Sequence, residues 1–130
     1  MIQPIIIEIS PGELLDKLTI LRIKAQRIHD PARRQNVMKE LEILENVRRK
    51  AIPDTPALRD LTTELSRINL ELWDVEDSIR QHEAKKNFSQ QFIESARSVY
   101  RLNSIRTQLK RRINELLHSP IQEEKQYSAD

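Results

Sequence analysis

A chain of 130 residues holds one domain with a modest core, read here as residues 1–130, and is too short for two ordinary ones. Hydrophobic residues make up 38%, charged residues 32%, and there is one glycine, which favours long amphipathic helices and excludes a turn-rich all-β fold. The 22 basic and 20 acidic side chains nearly cancel, so the field is not that of a dedicated nucleic-acid binder, and the lack of cysteine excludes a disulfide framework or thiolate metal site.

The chain opens with MIQPIIIEIS. It has no basic n-region and only a short apolar run, so it is expected neither as a signal peptide nor as a membrane span. Ile5, Ile6, Ile7 and Ile9 are β-branched and predict a short strand over residues 1–9, with Pro4 placing it at an edge. Ser10-Pro11-Gly12-Glu13 predicts a helix start: Ser10 caps, Pro11 takes the first helical position, and Glu13 reaches back as a capping box. Leu14, Leu18, Leu21, Ala25 and Ile28 give this helix, residues 11–29, its apolar stripe.

Asp30-Pro31 stops it and caps the next helix, residues 31–51, whose stripe is Val37, Leu41, Leu44, Val47 and Ala51. Thr55-Pro56 caps a third, residues 56–86. Leu58, Leu61, Leu65, Ile68, Leu72, Val75 and Ile79 recur there in steps of three and four, one continuous seam. Ser89 caps the fourth helix, residues 90–117, with Phe88 and Ile93 spaced as a hydrophobic staple. Residues 118–130 form a polar tail apart from Ile121 and Tyr127.

Short connections predict neighbours that run up and down, an all-α antiparallel four-helix bundle with a short N-terminal strand. The third and fourth helices outrun the first two, so their hairpin should protrude. Its tip carries Ile79, Phe88, Phe92 and Ile93, and Trp73 adds a second apolar face to the third helix. Uncovered apolar surface of this kind predicts a homo-oligomer or a protein partner. The strand should pair either with the tail segment 121–127 or with another subunit.

Several charged groups are candidates for chemistry. Glu71, Asp74, Glu76 and Asp77 offer oxygen ligands to a divalent cation. The competing expectation is cross-helix ion pairing with Arg97, Arg101 and Arg106. Asp16, Glu42, Glu45 and Glu64 are a second candidate level for a metal inside the bundle. Arg97, Arg101, Arg106 and Lys110 form a basic face on the fourth helix, with Arg111 and Arg112 beyond, but no interleaved aromatic platform accompanies it. Nucleic acid is therefore the least favoured partner. No Ser-His-Asp order, glycine-rich phosphate loop or HExxH pattern occurs.

Two resemblances carry further expectations. Glu42-x-x-Glu45 followed by Glu71-x-x-Asp74 is similar to the metal motif of all-α nucleotide pyrophosphohydrolases of the MazG type. That resemblance implies a Mg²⁺- or Mn²⁺-dependent enzyme acting on nucleotides or nucleotide-sugars. Counting across the turn near Asp54 sets the two acid pairs more than a helical turn apart, against this reading. The blocks SPGELLDKLTIL (10–21), LWDVEDSIR (72–80), ARSVY (96–100) and EEKQY (123–127) together resemble an uncharacterised bacterial domain family of unknown function. It implies no catalytic residues and no cofactor. The leading expectation is a non-enzymatic cytoplasmic interaction or scaffold module that self-associates through the hairpin tip and the Trp73 face.

Overall fold

The computed structural model describes residues 1–126 and contains four helices: α1 (Pro11–Arg27), α2 (Pro31–Ala51), α3 (Pro56–Ala84) and α4 (Gln90–Leu116). Three start as their sequences dictate. Ser10 Oγ accepts from Glu13 N at 3.1 Å, a side-chain oxygen of Asp30 from Arg33 N at 3.0 Å, and Thr55 Oγ1 from Leu58 N at 3.3 Å, each with proline next in the chain. Glu13 does not close a capping box. Its carboxylate pairs instead with Lys17 and Lys110, because charged partners on α1 and α4 outbid a backbone N–H. Ser89 precedes α4 without a side-chain cap bond, and Phe88 stands edge-on to Phe92, ring centroids 5.2 Å apart.

Contacts fix the register. Gly12 meets Asn114 and Asp16 meets Arg106, so numbering falls along α4 as it rises along α1. Asp16 and Arg27 of α1 meet Asn69 and Asp74 of α3, in rising order on both. Arg22 meets Glu45, and Arg34 donates to the Ala25 carbonyl, placing α2 back along α1. Helix α1 packs on all three others, whereas α2 packs on α1 alone. The core reflects this arrangement: Leu14, Leu15 and Leu18 of α1, Leu58, Leu65, Ile68 and Leu72 of α3, and Leu102, Leu109 and Ile113 of α4, with Ile52 from the α2–α3 connection. Leu41 and Leu44 of α2 only flank it. Burial on α1 is wider than one stripe, since Leu15, Asp16, Thr19 and Ile23 are buried as well. A helix with neighbours on several sides loses its solvent face.

Gly12 is the chain's one glycine, and it stands where α4 comes close against α1. A Cβ there would lie 2.5 Å from the Lys110 carbonyl oxygen and 2.9 Å from Asn114 Oδ1. Asn114 Oδ1 accepts from Gly12 N at 2.7 Å, satisfying a donor left open by the first turn of α1.

Along α3 the seam is buried at Leu58, Leu65, Ile68 and Leu72, then half-buried at Val75 and Ile79. Helix α1 ends beside Asp74, and α3 continues to Ala84, about 15 Å further at 1.5 Å per residue. That projecting hairpin leaves Phe88 and Ile93 exposed and Phe92 half-buried. No strand is found among the described residues. Residues 1–9 lie outside any regular element, with Ile5, Ile6 and Ile7 between 71% and 92% exposed. The physical reason is the lack of a ladder partner: residues 121–126 are also irregular, and their carboxylates are engaged elsewhere, Glu123 by Lys110 and Glu124 by Arg111. Tyr127, the other apolar position of the tail, lies outside the described residues. No described helix is long and apolar enough to cross a membrane.

Candidate functional site

The densest polar constellation joins α1, α3 and α4 at their shared level. Asp16 is 1% exposed. Arg106 approaches it in fork geometry, with Nε donating to Oδ1 at 2.9 Å and Nη2 donating to Oδ2. Asn69 Nδ2 donates to Asp16 Oδ1 at 2.9 Å and to Thr19 Oγ1 at 2.8 Å, while Thr19 donates to the Asp16 carbonyl. No fully buried side-chain polar atom of this network is left without a partner, as a buried network requires. Burial pushes the Asp16 carboxyl up, but hydrogen bonds from Arg106 and Asn69 and the charges of Arg106 and Lys110 outweigh it and hold the group below its ordinary 3.8.

One turn along α4, Lys110 bridges Glu13 at 2.8 Å and Glu123 at 2.6 Å. Burial works against its charge, yet those two carboxylates raise it above the ordinary lysine value. Lys110 in turn lowers Glu123. The pocket above this row, about 200 Å³, is lined by Glu13, Asn103, Arg106, Thr107, Lys110 and Glu123 among others. Its Arg106 and Lys110 are already paired, so the arrangement binds helix to helix and helix to tail. It holds no free nucleophile–base pair.

The basic face of α4 is therefore split. Arg106 and Lys110 turn inward to acids of α1, while Arg97 and Arg101 stay exposed beside Glu94 and Ser98. The acids of α3 pair with other bases than expected: Asp74 with Arg27 at 3.0 Å, Glu71 with Arg67 at 2.9 Å, and Asp77 with Arg80 at 3.9 Å. Arg67 and Arg80 lie within one turn on the same helix, and α1 brings Arg27 across, so these reach the acids first.

The candidate metal ligands do not form one level. Asp16 faces Arg106, Glu42 and Glu45 line one groove on α2 with Glu45 also paired to Arg22 of α1, and Glu64 is exposed near Arg112 and Glu115. Among the described residues, no three His, Asp or Glu side chains stand together as a cation site. Of the apolar candidates, Trp73, Ile79 and Phe92 are half-buried and Phe88 and Ile93 exposed. His82 stacks beside Phe92, centroids 6.3 Å apart, with its Nδ1 2.8 Å from the Ser78 carbonyl oxygen.

Sequence reasoning missed the partner of Arg106 and the role of Asn69, Thr19 and Asn114. One signal was available: polar Asp16 and Thr19 sit among Leu14, Leu15 and Leu18, so the network's residues interrupt an apolar face. The block SPGELLDKLTIL supplies the cap, the close crossing at Gly12 and the buried Asp16, and a family model spans it together with residues 5–130. The chain belongs to DUF6165, a family of unknown function. Neither a curated protein nor a solved structure matches the chain.

Proposed function

We propose that the chain is a non-enzymatic helical interaction module, its helices running up and down beside one another, that self-associates by pairing residues 2–7 of one copy with those of a second. The observation that carries this reading is the exposure of Ile2, Ile5, Ile6 and Ile7 on a backbone with no ladder partner within the described chain. Such a β-branched segment lowers its free energy by adding a strand beside it. Residues 2–7, IQPIII, carry no charge, so two copies meet without repulsion. The paired acids and bases at Asp16 and Lys110 support the non-enzymatic half of the reading, because they serve packing. Phe88 and Ile93 at the hairpin tip offer the module a second apolar surface.

Light scattering on the full chain at tens of micromolar tests this. A dimer or larger species is expected, converted to monomer by the double substitution Ile5→Asp and Ile7→Asp with helix content unchanged, since neither side chain packs in the core. A wild-type monomer at that concentration overturns the proposal. So does an assembly that the double variant leaves intact.

A further inference from the structure

Because α2 leans on α1 alone, an open groove separates it from α3, and we infer that this groove binds a small phosphate-type anion. Its volume is about 500 Å³, and its walls carry Arg22 from α1, Arg48 from α2, and Arg59, Thr63, Ser66 and Arg67 from α3. On α3, Arg59, Thr63 and Arg67 are spaced by four with Thr62 and Ser66 beside them, so two guanidinium groups and three hydroxyls line the same side of the helix. That face is distinct from the Leu58–Ile79 seam, and among the described residues no acid lines the groove.

Arg48 is the guanidinium of this groove without a carboxylate partner among the described residues. Its Nε is buried without a hydrogen-bond partner among the described residues. Arg48 as a whole is only half-buried and lines the groove, so its remaining N–H donors are the ones an anion seated there can reach. The other three arginines each have one carboxylate partner: Arg22 with Glu45, Arg59 with Asp54, and Arg67 with Glu71. The pairs of Arg59 and Arg67 are exposed on the rim and contribute little in water, so a ligand displaces or supplements them readily. A guanidinium has five N–H donors, so each retains several.

The ligand class follows from the donors. Planar guanidinium forks and hydroxyls match the oxygens of a phosphoryl group, and four guanidinium groups against three partner carboxylates leave a positive surplus for an anion. The groove exceeds the size of one phosphate and has no aromatic lining among the described residues on which a base would stack. A pyrophosphate-like anion, free or as the end of an ester, suits it better than a nucleobase-directed ligand.

Titration calorimetry of the full chain with inorganic pyrophosphate, at constant ionic strength, tests the inference. A parallel titration with orthophosphate and one with a sugar monophosphate separate free polyanion from ester. Saturable one-to-one binding of at least one of the three is expected. Arg48→Met should weaken it about tenfold or more, the loss of one charge-assisted hydrogen bond. The exposed pair Arg59→Met and Arg67→Met should do the same without risk to folding, whereas Arg97→Met with Arg101→Met should leave affinity unchanged. No saturable heat at millimolar concentrations of any of the three overturns the site. Equal weakening by the Arg97 and Arg101 substitutions overturns it too, as diffuse attraction to positive charge.

Discussion

Helices α1 and α2 begin alike, with a capping Ser or Asp followed by proline, yet α1 buries eight residues and α2 buries only Val37. Local signals made both helices, and neighbours made the difference. Helix α1 lies against α2, α3 and α4, so polar Asp16 and Thr19 are buried with its leucines and must be fully satisfied. Helix α2 touches α1 alone, so Val47, on its apolar stripe, is left 44% exposed. A helix's contribution to the core thus depends on how many elements surround it more than on its amphipathic pattern.

This contrast is open to attack by substitution. The largest effect is expected from Leu15→Ala in α1: a fully buried leucine leaving a cavity should cost about 4 kcal/mol, read by urea denaturation. A loss below about 1 kcal/mol would remove α1 from the centre of the argument. Gly12→Ala should follow at about 2–3 kcal/mol, since its Cβ meets a backbone carbonyl and α1 must separate from α4. If the variant is as stable as wild type, the close crossing is wrong.

Asp16→Asn should cost about 2 kcal/mol at neutral pH, less than a wholly buried pair because the Arg106 side chain keeps 30% of its exposure. Its pH dependence is diagnostic. The folded-state carboxyl is held below its ordinary 3.8, so its stabilisation is complete above that value and is lost as pH falls through the folded-state value. Between pH 5 and pH 2, the wild type should therefore lose stability more steeply than Asp16→Asn, and parallel curves would refute the pairing with Arg106. Lys110 acts at the other extreme: its raised value gives stability that is present below 10.5 and lost as pH rises further. The smallest effect belongs to α2, where Val47→Ala should change stability by less than about 0.5 kcal/mol, and a core-sized loss there would mean that α2 is covered in solution.

The helices themselves were legible because their signals are local. Ser10, Asp30 and Thr55 each cap the helix that the proline beside them begins, and the observed ends differ from the sequence reading by at most two residues. The Leu58–Ile79 seam, read from spacing alone, is buried where α1 covers it and fades to half-burial where the hairpin projects. The candidate sites were less legible. Arg97, Arg101, Arg106 and Lys110 are equivalent by sequence, all basic and all at helical spacing, yet two of them turn inward and two do not.

What the sequence determined by itself was four helices, their starts and the apolar stripes that must be covered, because hydrogen bonding and capping act within a few residues. What the tertiary structure decided was lateral. It set α2 aside from the core, matched Arg106 to Asp16 and Asp74 to Arg27, and placed the lone glycine where α4 closes on α1. It also opened the arginine-lined groove beside α3, and left Ile5 to Ile7 without a strand beside them among the described residues. Those outcomes depend on rotation and register between helices, where a shift of one residue turns a side chain by about 100° and changes every partner it can reach.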